Sequence, residues 1–450
     1  MLDVIILAAG KGTRMHSDTP KVLHTLAGQS FLQHVLNKAQ SLHADNIHVV
    51  VGHGSELVKA ALPDNINVVE QTEQLGTGHA VMQVLPHLAD DTTTLILYGD
   101  VPLTSVDTLE SLLTLPSQNS MGLLTVNLDN PMGYGRIVRT ANKVQAIVEQ
   151  KDAAPDQLLI NEVNTGVMAV NSVHLKKWVS GLSNQNAQGE YYLTDIIAAA
   201  CNDNISVNTS QPAYEHEVLG VNNRLQQAQL ERIYQMQMAQ QLMEQGVTLL
   251  DPARFDCRGT LTVGKDCVID ANCIFEGDVV LGDNVVINAN CIIKSSTIES
   301  DCVIDAFSSI DHAHLKMHCR VGPYARLRPQ TVLEEAVRVG NFVEVKKSTI
   351  GQGSKVNHLS YIGDAELGHS VNVGAGAITC NYDGHNKHIT RIGDNAFIGS
   401  NSVLIAPISV GNNAFTAAGS ALSSNVEDDR LAISRAQQKN ISGWKRPTKN

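Results

Sequence analysis

The chain has 450 residues, 43% of them hydrophobic, enough for two or three domains with real cores. Its formal charge of −12 and 4% aromatic content argue against a nucleic-acid partner, which would want basic surface and stacking rings. No apolar run approaches the roughly 20 residues needed to cross a bilayer, so no membrane partner is expected.

The opening Met1–Gly10 segment lacks a basic leader and reads as a buried strand rather than a signal peptide, which predicts a cytoplasmic protein. Residues 1–224 then alternate strands and helices. Val4–Leu7 is a strand, a glycine-rich turn follows, and a helix runs from about Phe31 to Ser41. Ile47–Val51, Asn67–Val69 and Thr94–Leu97 are further strands. The pattern predicts an α/β sheet with helices on both faces and ligands at the carboxyl ends of its strands.

From Arg224 to Gln245, Leu230, Ile233, Tyr234, Met238 and Leu242 recur three or four apart among Gln and Glu, the pattern of a helix with one apolar stripe that Gly246 stops. From Val263 to Leu422 the period becomes six. One register holds Val263, Ile269, Phe275, Leu281, Ile287 and Ile293; later ones include Ile298, Ile304 and Ile310, then Leu315, Val321, Leu327, Leu333, Val339 and Val345. Neither a helix nor an ordinary strand has that period; a chain wound as a triangular coil does, one short flat side per hexad, which is the hexapeptide β-helix. The hexads break at Cys380–Thr390, where a protruding loop is expected, and the tail after Val426 is basic. Eight cysteines without a CxxC pair argue against zinc and fit small apolar packing in a reducing compartment, with Cys273 and Cys291 stacked on adjacent turns.

Two segments carry chemistry. After the first strand, Ala8-Ala9-Gly10-Lys11-Gly12-Thr13-Arg14-Met15 and Pro20-Lys21 set three cations beside a glycine turn. Met15 stands where a dinucleotide fingerprint needs glycine, and no Walker loop is present. What remains is a loop able to neutralise a triphosphate. In the coil, Arg326, Arg328, Arg338, Lys346 and Lys347 cluster, and Arg328 and Lys346 sit three hexads apart, on neighbouring turns, as a phosphate clamp would. His358 stands two positions after the inward Val356, and an imidazole suits proton removal from an attacking amine.

Leu-x-Ala-Gly-x-Gly-Thr-Arg-Met with a downstream Pro-Lys resembles the signature of sugar-phosphate nucleotidylyltransferases. Tyr98-Gly99-Asp100 resembles that family's metal-binding turn, and Gln71 through Gly76-Thr77-Gly78-His79 its base-reading loop. Joined to the hexapeptide coil, the chain is similar end to end to the bacterial bifunctional N-acetylglucosamine-1-phosphate uridylyltransferase/glucosamine-1-phosphate acetyltransferases. The resemblance implies a nucleotidylyltransferase domain with a Rossmann-like mixed sheet at 1–224 and a linker helix at 225–245. At 246–450 it implies a left-handed β-helix acetyltransferase domain with a C-terminal tail.

It further implies synthesis of UDP-N-acetylglucosamine, a precursor of peptidoglycan and lipopolysaccharide. Acetyl-CoA would acetylate glucosamine 1-phosphate, and UTP would then uridylylate N-acetylglucosamine 1-phosphate, releasing pyrophosphate. Arg14, Lys21 and His358 would be catalytic, and Asp100 and Asn222 would hold Mg²⁺. Leu7, Ala8, Ala9, Gly10, Lys21, Tyr98, Gly99, Asp100 and Asn222 would meet the nucleotide; Gln71, Gly76 and Thr77 its uracil; Gly135, Glu149 and Asn164 the N-acetylglucosamine. Arg328, Lys346, Tyr361 and Asn372 would hold glucosamine 1-phosphate, and Ala375, Asn381, Tyr382, Ser400, Ala418 and Arg435 acetyl-CoA. A homotrimer joined through the coil is also implied.

Overall fold

The computed structural model describes residues 1–449. It contains two compact units, Met1–Tyr234 and the chain from Gln235 onward, and the division falls inside one helix, Arg224–Glu244.

In the first unit, Leu2–Ala8 lies parallel between Asn46–Val51 and Thr93–Tyr98, and Asn67–Glu70 extends that side of the sheet. On the other side Glu162–Asn171 runs antiparallel to both Thr93–Tyr98 and Ser120–Asn127, and Ser206–Ser210 is parallel to the latter, so the sheet is mixed. A hairpin, Arg136–Thr140 with Lys143–Val148, pairs onto Glu162–Asn171. The first strand is an unbroken apolar run because both its faces are covered. Val4, Ile6 and Ala8 pack with Leu32, Val35 and Leu36 of the Phe31–Ser41 helix; Ile5, Leu7 and Ala9 pack with Ala80, Val81 and Val84 of the Thr77–Val84 helix. The Phe31–Ser41 helix has the expected ends, and its start is fixed by Ser30 Oγ, which accepts from the Gln33 N–H at 3.1 Å. The expected strands extend by one or two residues at one or both ends, and Glu149 lies one residue beyond the Lys143–Val148 strand.

The second unit is a three-faced coil of parallel strands two to four residues long in most turns. On one face Ile269 pairs with Ile287, 18 residues on; Ile287 pairs with Ile304 and Ile304 with Val321, 17 on. The other two faces form one continuous sheet from Phe255–Val263 to Ala421–Leu422. The registers read from the sequence are the core: Ile287, Ile293, Ile298, Ile304, Ile310, Leu315, Val321 and Leu327 are all 0% exposed. Val263, at the start, is only partly buried. Corners fall on residues in the left-handed region, among them Asn272, Asn290, Phe307, Tyr324, Phe342 and Leu359, where asparagine is the most at ease of the residues other than glycine. The eight cysteines are free thiols, and Cys273 and Cys291 are buried side by side on adjacent turns.

The joining helix departs from a simple apolar stripe. Gln235, 1% exposed, is buried among its apolar positions, and its side-chain amide pairs with the Cys257 backbone as a strand would. Nε2 donates to the Cys257 carbonyl at 2.8 Å and Oε1 accepts from its N–H at 2.7 Å. Gly246, at φ 97°, ends the helix as expected. Because inward and outward positions alternate along each short side, Ile310→Ala should destabilise the second unit by about 2–5 kcal/mol, while Ser309→Ala changes little. Chemical denaturation of both variants measures the contrast.

Candidate functional site

The first unit opens a cavity of about 470 Å³ at the carboxyl ends of its parallel strands. Leu7, Ala8, Ala9, Gly10, Lys11 and Lys21 line it, together with Gln71, Gly76, Thr77, Tyr98 and Asp100. Small residues bring backbone to the wall. Gly12 holds φ 58°, and a side-chain carbon there would meet Lys21 Cβ at 2.7 Å, so the loop lies directly against the lysine. Gly99 does not line the cavity; its N–H donates to the Leu7 carbonyl at 2.9 Å and sets the turn that presents Asp100.

Lys21, with a side chain 14% exposed, places its ammonium on the Asp100 carboxylate and 3.2 Å from Asn222 Oδ1. Arg14 Nη2 donates to the same Asn222 oxygen at 2.9 Å. The Asp100 and Asn222 oxygens thus converge on one point, taken here by the Lys21 ammonium. No group of three or more His, Cys, Asp or Glu side chains that could hold a metal occurs among the described residues. Two oxygen donors leave most of a coordination shell to water and phosphate, the arrangement a small hard cation accepts.

Gly135, Glu149 and Asn164 form a second group. The Asn164 N–H donates to the Gly135 carbonyl at 2.8 Å, and Glu149 Oε1 lies 3.4 Å from where a Gly135 side chain would begin. Glu149 also accepts from the Thr194 hydroxyl at 3.1 Å. Tyr98 joins the two groups: burial pushes its phenol above the usual range, and the Glu149 and Asp100 charges add to this. Its ring lies against Gly166, which leaves no room for a side-chain carbon.

In the second unit the backbone ladder runs from Asn341 to Leu359, from His358 to Gly376, from Ala375 to Asn401 and from Ser400 to Gly419, each lower carbonyl accepting from the next turn. Asn341, His358, Ala375, Ser400 and Ala418 therefore make one column, and Arg435 Nη1 donates to the Ala418 carbonyl at 2.7 Å at its end. His358 Nδ1 lies 2.9 Å from Asn341 Oδ1, an acceptor, so the ring proton sits on Nδ1 and Nε2 keeps its lone pair.

Around the corner, Arg328 and Lys346 are level on neighbouring turns, and the Tyr361 ring lies across Gly363, which pairs with Lys346. The adjacent Lys387 ammonium, above all, holds Lys346 below the ordinary lysine range, with burial and Arg328 adding. Arg328 Nη1 donates to Glu344 Oε1 at 2.8 Å. Asn372 sits on the His358 face but level with Lys355, three residues before the imidazole. The Asn381–Gly384 segment is the expected loop. Asn381 bonds the buried Asp364, the exposed Tyr382 donates to the Gly384 carbonyl at 2.7 Å, and Asp383 gathers the His385 and Asn386 N–H groups at 2.8 and 2.6 Å.

Comparison with known proteins matches the architecture. A model of the MobA-like NTP transferase domain covers residues 4–150, one of the GMPPB C-terminal domain 257–350, and one of the hexapeptide repeat of succinyl-transferase 389–424. The bifunctional protein GlmU of Saccharophagus degradans is 64% identical over all of both chains. Those of Cellvibrio japonicus and Marinobacter nauticus are 58% and 56% identical over all of this chain, covering 100% and 99% of theirs. The chain belongs to the bifunctional GlmU family.

Within this member of the family, several neighbours of the sites escaped the sequence reading. Gln74 and Glu190 line the cavity, and Glu190 comes from a loop far along the chain without a motif. Asn341 was findable, since it lies one turn of 17 residues before His358. Lys387 was not, because it falls in the aperiodic insertion.

Burial, more than any neighbour, raises the Glu149 carboxyl above its usual range, with Asp195 and Asp152 adding to the shift. A raised carboxyl favours the folded state below its unfolded value and loses that stability as pH rises through the folded one. Glu149→Gln should therefore melt higher than the parent at pH 7.5, and the difference should shrink towards pH 4.5. Thermal melts of the two proteins across that range measure the sign.

Proposed function

We propose that the chain is a bifunctional enzyme making UDP-N-acetylglucosamine, with one reaction in each unit. What carries the reading is the pairing, in a chain 64% identical end to end to a bifunctional GlmU, of two sites with different chemistries. One is a cation-lined cavity at the strand ends; the other is an imidazole with a free lone pair beside a strip of small residues.

In the first unit an oxygen of N-acetylglucosamine 1-phosphate attacks the α-phosphorus of UTP. The bond from that phosphorus to the bridging oxygen breaks, and pyrophosphate leaves. Both reactants are anions, so neutralisation and in-line positioning carry the rate. Arg14, Lys11 and Lys21 stand where the phosphates would lie, and the backbone of Leu7, Ala8, Ala9 and Gly10 allows close approach. Gln71, Gly76 and Thr77 would face the uracil, and Gly135, Glu149 and Asn164 the sugar. Asp100 and Asn222 would hold Mg²⁺, which would neutralise phosphate charge when bound. Lys21 must then leave the Asp100 carboxylate and is free to meet phosphate instead.

In the second unit the amine of glucosamine 1-phosphate attacks the thioester carbonyl of acetyl-CoA. The C–S bond breaks, the thiol leaves, and His358 Nε2 takes the amine proton, while Asn341 fixes the ring by accepting at Nδ1. Arg328 and Lys346, with Lys387 beside them, suit the sugar phosphate, next to Tyr361 and Asn372. Ala375, Ser400 and Ala418 leave a shallow strip for the pantetheine arm, with Asn381 and Tyr382 at the loop and Arg435 at the end for a CoA phosphate. Stacked exposed rings of Phe307, Tyr324 and Phe342, 4.9 and 5.2 Å apart along one corner, support self-association through the coil as a homotrimer. No helix of the described residues is long and apolar enough to cross a membrane, and we place the reactions in the cytoplasm.

Separate sites make separable losses. His358→Ala should lower acetyl transfer by about 10²–10⁴-fold and leave uridylyl transfer near the parent rate. Asp100→Ala should do the opposite, stopping metal-dependent pyrophosphate release while thiol release from acetyl-CoA persists. Assaying both products on both purified variants decides the matter; equal loss of the two activities in either folded variant rules out independent sites.

A further inference from the structure

Asp100 and Asn222 come from distant parts of the chain, so the gap between their oxygens is set by whatever joins the two segments that carry them. Those segments run side by side. The Val221 N–H donates to the Asp100 carbonyl at 2.9 Å, and a side-chain carbon on Gly220 would lie 3.9 Å from both the Asp100 carbonyl oxygen and Oδ2. Leu103 and Val221 also share an apolar cluster, which adds cohesion without direction. One backbone bond alone is a hinge. The second directed contact is made at Glu217.

Glu217 is 2% exposed. Its Oε2 accepts from the Ser105 N–H at 3.1 Å and from the Thr108 hydroxyl at 2.7 Å, both on the Asp100 segment. Its Oε1 accepts from the Tyr214 N–H at 3.1 Å, on its own segment. The Thr104 hydroxyl donates to the Glu217 carbonyl at 2.9 Å beside them. Burial raises the Glu217 carboxyl, but the hydrogen bonds from Ser105, Thr108 and Tyr214 together outweigh it and hold the group below the usual carboxylate range. A charge kept in the interior is costly, and helix capping does not account for it. Ser105 Oγ already caps the Val106–Leu113 helix by accepting from the Thr108 N–H at 3.2 Å. That helix ties this end to the core through Leu109 and Leu112, both 0% exposed.

We propose that Glu217 is a positioning residue for the cation of the first unit: by bridging to Ser105 and Thr108 it fixes the segment carrying Asn222 against the one carrying Asp100, and so sets the separation of the two oxygen donors. It touches neither cation nor substrate. Its anchor points lie five residues along the chain from each donor, Ser105 after Asp100 and Glu217 before Asn222. Mg²⁺ demands near-octahedral geometry, so a small change in donor separation weakens its site. This inference rests on the proposal that Asp100 and Asn222 hold Mg²⁺.

The test titrates Mn²⁺, as a stand-in for Mg²⁺, into the full-length chain saturated with UDP-N-acetylglucosamine. The electron paramagnetic resonance signal of free Mn²⁺ gives the Kd and the number of sites separately; the site counted is the one that Asp100→Ala removes. Glu217→Ala should raise the Kd about 10-fold, the lower end of what losing an outer support costs a metal site. Its affinity for UDP-N-acetylglucosamine without metal should stay at the parent value. Glu217→Gln keeps an oxygen for Ser105 and Thr108 and gives up only the Tyr214 contact, so its Kd should lie close to the parent's. A merely structural role would lower the melting temperature and the number of sites but leave the Kd of the folded fraction unchanged. A parental Kd in Glu217→Ala overturns the assignment, as does a glutamine variant as weak as the alanine one, or an equal loss of metal-free UDP-N-acetylglucosamine binding. If Glu217→Ala does not fold, Thr108→Val carries the same test, since it removes the 2.7 Å bond and keeps the side chain's shape; an unchanged Kd there is equally fatal. Asp100→Ala distinguishes the underlying reading. If it leaves Mn²⁺ binding intact, Asp100 does not hold the cation; if it abolishes binding while Glu217→Ala changes nothing, only the role of Glu217 fails.

Discussion

Stacking in register is the constraint on which the second unit depends. Each short strand pairs with the strand one turn away, roughly 4.7–4.9 Å off, so a residue repeated every 17 or 18 positions is repeated in space as a column. Inward columns are apolar and form the core. Outward columns are free of packing demands, and there the chain can line up His358, Ala375, Ser400 and Ala418 without disturbing the fold. The column proposed for acetyl transfer is thereby carried by the most regular part of the protein.

The first unit solves a different problem. Its parallel strands all end on one side, where small residues after Leu2–Ala8 expose backbone and leave room for anions. Cations gathered there would repel one another without compensating partners. The Asp100 carboxylate supplies one negative charge beside Lys21, and the neutral Asn222 amide oxygen accepts hydrogen bonds from both Lys21 and Arg14. An anion entering this pocket would exchange one set of partners for another instead of drawing bare charge out of water.

Much of this was legible in the sequence because it depends on periodicity. The hexads predicted the inward residues almost without loss, and the helix expected from about Phe31 to Ser41 keeps those ends. The glycine-rich loop after the first strand was legible because its residues are contiguous. What could not be read is set by three-dimensional neighbours. Gln235 looks like a surface residue in a Gln-rich helix, yet its amide completes the backbone of Cys257. Glu149 is one acid among many in the sequence, and only burial beside Thr194 makes it unusual. Glu190 and Lys387 reach their sites from segments with no repeat to count.

The loop between Cys380 and Thr390 interrupts the hexads but not the ladder. Ile378 still pairs with Val403, and Leu367 with Ile392, on either side of it. Where neighbouring rungs on that face advance by 17 residues, from Val356 to Val373, the next advances by 25, from Val373 to Ile398. Length there is a free variable for the architecture: residues can be added, removed or exchanged at that point while every rung above and below keeps its partner. A scaffold built this way lets selection act on one excursion of the chain, insulated from selection for folding.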